Sequence, residues 1–286
     1  MALSDKALGL VTLFYLILFL MHLLYFASGK AAVLRGARLF LYMTFGLHST
    51  GLLARWVESY SPWSWTSWHG ALPLPYPQGP GHAPLSNFYE SLIFYAWCIA
   101  LILVLMKKSL RPPLISMLAG LTALFCMGYA SLSPSVDRRI QPLIPALQSN
   151  WLHVHVFTCF IAYASFAVSF LCALLYVLKP ESLQAGKLEE INYQGVMVGF
   201  PMLTAGILTG AVWAHYAWGA YWSWDPKETW SLITWIVYAL FLHARFTRGW
   251  KGRKIALLSI VGFISVIFTY LGVNFILAGL HSYGAG

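Results

Sequence analysis

Residues 8–27 read LGLVTLFYLILFLMHLLYFA, an apolar run of 20 residues. At about 1.5 Å of rise per residue such a run makes a helix of about 30 Å, the thickness of a bilayer's hydrocarbon core. No small-residue cleavage site follows it, so it is expected to be a retained helix rather than a removed signal. Seven further runs of similar length follow, at 39–57, 88–106, 114–132, 152–178, 194–212, 230–246 and 255–277. No stretch of soluble-domain length interrupts them. The expected fold is all-α: a polytopic integral membrane protein with about eight transmembrane helices, forming one membrane domain over 1–286.

The composition agrees. Of 286 residues, 59% are hydrophobic and 9% charged. The mean hydropathy is +0.68. A soluble domain carries about 25% charged residues, so a water-soluble globular protein and a disordered chain are both excluded. Nucleic acid is not the expected partner of the net charge of +9, because the basic residues sit in short loops between apolar runs. Cys98, Cys126, Cys159 and Cys172 all fall inside apolar runs and form no CxxC. That argues against a disulfide framework, a zinc site or a redox dithiol.

Orientation follows from Lys and Arg. Thirteen of the 18 basic residues lie in the loops 28–38, 107–113, 179–193 and 245–254. By the positive-inside rule these loops are cytoplasmic. Both termini and the loops 58–87, 133–151 and 213–229 then face outward. The loop 58–87 contains six Pro with Trp63, Trp65 and Trp68, and reads as an ordered segment lying on the outer interface. No sequence repeat is visible, which speaks against an inverted-repeat transporter.

Nucleotide-binding and nucleophile-elbow motifs are missing. The chemistry therefore rests on the His and Trp residues. Residues 213–230, WAHYAWGAYWSWDPKETW, hold five Trp and two Tyr. An interfacial belt needs only scattered Trp, whereas this dense, Gly-punctuated set suits a large flat ligand. Trp213, Trp218, Tyr221, Trp222, Trp224, Asp225 and Trp230 are the candidate contacts. Asp225 followed by Pro226 also has the form of a helix N-cap. His155 and His281 fall at outer helix ends near this segment, as a pair of axial ligands to haem iron would. Two interfacial His with water or backbone partners are the alternative. His153 lies about 200° round the helix from His155, so at most one of them faces a given ligand. His243, His22 and His48 are intramembrane, either ligands or satisfied core residues.

The block 218–230 resembles the WWD signature of the haem-handling superfamily. Within it the chain is similar to the CcsA/ResC family of c-type cytochrome biogenesis proteins (system II, also called CcsB). Residues 84–92 (PLSNFYESL), 148–156 (QSNWLHVHV) and 272–282 (GVNFILAGLHS) agree with it. The resemblance implies that haem b passes through as a substrate and is held at the outer face by the Trp segment. It implies His155 and His281 as external axial ligands, and His243 as a ligand to haem in transit, opposed by a ResB/Ccs1-type partner subunit. It gives no required role to His22, His48 or His215.

The chemistry implied is thioether formation between haem vinyl groups and the thiols of a CxxCH apocytochrome. The chain holds no CxxCH and no dithiol, so a separate thiol reductant is implied. No catalytic acid or base is evident; the protein's part is positioning and exclusion of water. The implied location is the bacterial inner membrane, with the site facing the periplasm or outer side. Two other functions compete: a b-type electron-transfer subunit with permanent haem, and a haem exporter without synthase activity.

Overall fold

A computed structural model describes residues 3–60, 81–107, 111–181 and 183–277. Eight long helices account for most of them. They are α1 (Leu3–Ser28), α2 (Ala31–Ser59), α3 (Phe88–Leu105), α4 (Pro113–Leu132), α5 (Asn150–Leu178), α6 (Ala185–Trp218), α7 (Pro226–Thr247) and α8 (Arg253–Ile267). A π-helical turn, Phe268–Gly272, and the short α9 (Val273–Ile276) continue α8. Each apolar run coincides with one of these helices. No strand occurs among the described residues. Six stretches are long and apolar enough to cross a membrane: α1, α3, α4, α5, α6 and Arg253–Ile276. The chain is an all-α, multi-pass membrane protein. Helices α2 and α7 have 29 and 22 residues, long enough to span, but they are more polar. Arg35, Arg38, Arg55 and Glu58 lie on α2, and Lys227, Glu228 and Arg245 on α7.

The chain divides into two compact units, 1–106 with 111–148, and 107–110 with 149–286. In the first, α1 packs on α2 and α4, and α3 packs on α2 and α4. Its polar anchor is Arg55, which is 1% exposed. The Arg55 Nε donates to Glu90 Oε1 at 2.9 Å and a terminal nitrogen donates to the Arg138 carbonyl at 2.9 Å. Asp5 lies 3.7 Å from the guanidinium, which also covers the Tyr89 ring at 4.8 Å. The other Glu90 oxygen accepts from the Ser86 backbone at 2.9 Å and its hydroxyl at 2.7 Å. Asn87 caps α3 by accepting from the Glu90 N–H at 2.8 Å. The block 84–92 is therefore a structural device in this unit: it starts α3 and fixes a carboxylate against a buried arginine. His48 is a core residue with Nδ1 3.1 Å from the Tyr15 hydroxyl. Most of the loop 58–87 lies outside the described residues.

The second unit is built on the α5–α6 pair, with α8 against α5, and α7 against α6 and α8. Glycines of α6 recur at 195, 199, 206 and 210, two GxxxG pairs of the kind that lets membrane helices approach closely. A Cβ on Gly199 would lie 2.4 Å from the Phe166 ring, and one on Gly206 2.5 Å from the Cys159 sulfur. Phe166 is in turn stacked on Tyr238 of α7, with centroids 3.6 Å apart. Helix α6 runs past the apolar stretch 194–212 at both ends, because its amphipathic first turns and aromatic last turn still pack on one face.

Removing one partner of a buried ion pair typically costs about 3–5 kcal/mol. Glu90→Leu is therefore expected to lower the thermal unfolding midpoint of the detergent-solubilised protein markedly, and Glu90→Gln to lower it less. A midpoint unchanged by Glu90→Leu would contradict the anchoring role of the Arg55–Glu90 pair.

Candidate functional site

The second unit contains a cleft with about 530 Å³ of empty space, part of it open to solvent. Its walls come from α5 (His155, Cys159, Tyr163), α6 (Gly210, Ala214), the segment before α7 (Tyr221, Trp222), the first turns of α7 (Lys227, Glu228) and Thr269 of the π-turn.

His155 lies on the face of α5 that meets α6. Its Nδ1 is 2.7 Å from the Gly206 carbonyl. A carbonyl only accepts, so Nδ1 carries the proton, and in the neutral ring the lone pair is on Nε2. This is the tautomer in which a histidine ligates through Nε2 while its other nitrogen fixes the ring. Gly210 makes room for it: a Cβ there would lie 2.5 Å from Nδ1. Trp213 lies nearly parallel behind the imidazole, at 6.0 Å between centroids and 14°. Helix geometry alone leaves open which of His153 and His155 faces a given ligand. His155 lines the cleft and His153 is not among its wall residues.

The aromatic segment is shorter as a loop than 213–230. Helix α6 continues through Trp218 and ends where Gly219 takes φ 79°, with its N–H bonded to the His215 carbonyl at 2.9 Å. A left-handed C-terminal glycine is the ordinary helix stop. Only 219–225 connects α6 to α7. Trp213 is 2% exposed and meets Trp218 edge-on at 4.8 Å. Trp222 meets Trp224 edge-on at 5.7 Å. Trp224 is 67% exposed and has φ 60°, a strained value for a bulky residue that only a well-determined loop maintains. Trp230 packs on Phe268 of the π-turn at 4.1 Å. His215 stacks on Tyr221 at 4.3 Å. Of the seven aromatic-segment candidates, Tyr221 and Trp222 thus line the cleft directly. Trp213 backs the histidine, and Trp218, Trp224 and Trp230 hold those rings and the helix ends.

Asp225 is the N-cap of α7. It accepts from the Lys227 N–H at 3.0 Å, and a complete capping box joins it to Glu228. Glu228 Oε2 also takes the Ser223 N–H at 2.8 Å and the Asp225 N–H at 3.2 Å. One buried carboxylate therefore sets the course of the loop. Lys227, which precedes the apolar part of α7, donates from Nζ to Asn274 Oδ1 at 2.8 Å. Burial pulls its ammonium down to about 8, opposed by Cys159 and Asp225. Lys227 and Glu228 were not singled out from the sequence. The D-x-x-E spacing of a capping box was legible there, but the burial of the lysine needed the fold.

His243 is exposed near the other end of α7, about 18 residues and roughly 27 Å along the helix from Asp225, and is not at this cleft. His281 lies outside the described residues.

Residues 85–281 match the model of a family described as Cytochrome C assembly protein. The chain belongs to the cytochrome c assembly protein family. Among its relatives, the cytochrome c biogenesis protein CcsA of Chlamydomonas reinhardtii is 46% identical over 71% of this chain and 62% of its own length. The CcsA of Prochlorococcus marinus (strain MIT 9303) is 41% identical, over 71% of this chain and 76% of its own length. The chain thus spans somewhat under two thirds of the algal relative. Among solved structures, Cytochrome c Heme Lyase CcmF shares the fold, with a TM-score of 0.69 at 20% identity, over 95% of this chain and 47% of that one. The family match covers the capping box, the cleft and the segment leading to His281.

If Asp225 acts through its cap, Asp225→Asn keeps the function and Asp225→Ala loses about 1 kcal/mol of stability. The expected result is a lowered thermal midpoint for Asp225→Ala and near-parental behaviour for Asp225→Asn. Loss of ligand binding in Asp225→Asn with an unchanged midpoint would assign the carboxylate to the ligand instead.

Proposed function

We propose that this protein is the haem-handling subunit of a membrane cytochrome c synthase, with haem b as a transient substrate. The observation that carries the reading is the His155 imidazole. It is held in the Nε2-ligating tautomer by the Gly206 carbonyl, in a cleft walled by Tyr221 and Trp222. The donor set fits an iron macrocycle. In this reading the His155 imidazole meets the metal, aromatic rings exclude water from the plane, and Lys227 supplies a cation for a carboxylate. Family membership supports a role in cytochrome c maturation.

In this reading the chain's residues bind and orient. Gly206 and Gly210 fix the ring of His155, and the capped loop 219–225 presents the aromatic wall. Lys227, steadied by Asn274, draws a propionate inward. His281 supplies the second outer ligand. His243, exposed on its helix, ligates haem in transit with a partner subunit of the ResB/Ccs1 type. The apocytochrome's CxxCH thiols, kept reduced by a separate thiol system, then add to the vinyl groups. The chain supplies position rather than an acid or base. All eight long helices span in this scheme, α2 and α7 included. Both termini and the cleft face outward from a bacterial inner membrane, in keeping with the distribution of Lys and Arg.

The test is the absorption spectrum of the purified protein. His155→Ala is expected to weaken or shift the haem bands, and added imidazole to restore them in part. Trp222→Ala is expected to reduce haem occupancy without changing the ligation signature. Parental bands and normal cytochrome c maturation in His155→Ala would reject the ligand assignment.

A further inference from the structure

The first unit has a second cleft, independent of the haem reading. It is a shallow cleft, open to its surroundings, lined by Leu18, His22, Arg38, Leu41, Leu103 and Arg111 among others. Arg111 is 3% exposed. It donates to the Leu103 carbonyl at 2.7 Å and to the Tyr42 hydroxyl at 3.4 Å. Its Nε is buried without a hydrogen-bond partner, and no ion pair to it exists among the described residues. Arg38 is half-buried on the same cleft, likewise without an acidic partner among them.

The unit's own acids do not compensate them. Asp5 opens α1, Glu58 closes α2, Glu90 opens α3 and Asp137 follows α4. Arg38 lies in the early turns of α2, Arg111 just before α4 and His22 in the late turns of α1. The acids thus mark one end of the unit, and this cleft the other. A buried guanidinium with an idle donor and no carboxylate calls for an anion, and guanidinium forks match the oxygens of phosphate. Basic pockets between membrane helices bind anionic lipid head groups. Leu18, Leu41 and Leu103 give the cleft apolar walls. His22 binds the Leu18 carbonyl through Nδ1 at 2.8 Å, so in the neutral ring its other nitrogen accepts, matching a hydroxyl on the ligand.

We propose that Arg38, Arg111 and His22 form a site for the hydroxyl-bearing phosphate head group of an anionic phospholipid, of the phosphatidylglycerol type, at the basic end of the first unit.

The test is native mass spectrometry of the full chain released from micelles containing phosphatidylglycerol or phosphatidylcholine. The expected result is roughly ten-fold preferential retention of the anionic lipid, equivalent to about 1.4 kcal/mol. Arg38→Gln and Arg111→Gln are each expected to remove most of that preference. Arg38 is half-buried and makes no ion pair among the described residues, so Arg38→Gln keeps the parental thermal midpoint and decides the matter if Arg111→Gln does not fold. Equal retention of the two lipids overturns the proposal, as does a preference unchanged in Arg38→Gln. Displacement of the lipid by inorganic phosphate reassigns the site to the free anion. Arg38-dependent displacement by haem reassigns it to carboxylates.

Discussion

The close approach of α5 and α6 is the constraint on which the second unit depends. Four glycines on one face of α6 leave no Cβ between the helices, and Phe166, Cys159 and His155 occupy the space. Without a hydrophobic drive between helices in lipid, such contact rests on van der Waals packing and on the few polar bonds that the approach permits. The bond from His155 to the Gly206 carbonyl is one of these. A side chain at Gly210 would displace the imidazole and with it the tautomer. The same feature that joins the helices therefore orients the one imidazole that lines this cleft among the described residues.

Polar groups elsewhere are used with similar economy. In the first unit one arginine is fully compensated: Arg55 sits among Glu90, Asp5, the Arg138 carbonyl and the Tyr89 ring. At the other end Arg111 is buried with no acidic partner among the described residues. In the second unit Glu228 gathers backbone donors to set a short loop, and that loop carries Trp224 in a strained conformation next to Trp222. Such strain persists only where the surroundings enforce it. The capping box therefore keeps an aromatic wall in place rather than merely starting a helix.

Much of this was legible in the sequence. All eight apolar runs became helices, because length and hydropathy alone define such elements. The density of Trp in 213–230 drew attention to a segment whose Tyr221 and Trp222 line the cleft, and Asp225-Pro226 read correctly as a helix start. What the sequence did not reveal depends on neighbours distant along the chain. Whether His153 or His155 faces the cleft is decided by α6, not by α5. The loop proved to be 219–225, because Trp213 and Trp218 pack as helix residues until Gly219 takes a left-handed turn. Lys227 and Asn274 meet across 47 residues, a pairing no local pattern announces. The glycine spacing on α6 was readable as two GxxxG pairs, but which side chains fill the gaps was not.

The most direct test of the central claim is a cryo-EM map of the haem-loaded protein. The account predicts macrocycle density in the cleft beside Tyr221 and Trp222, with iron bonded to His155 Nε2 and the Nδ1 bond to the Gly206 carbonyl intact. Iron bonded at another residue's side chain with His155 still on Gly206, or a macrocycle outside this cleft, would contradict it.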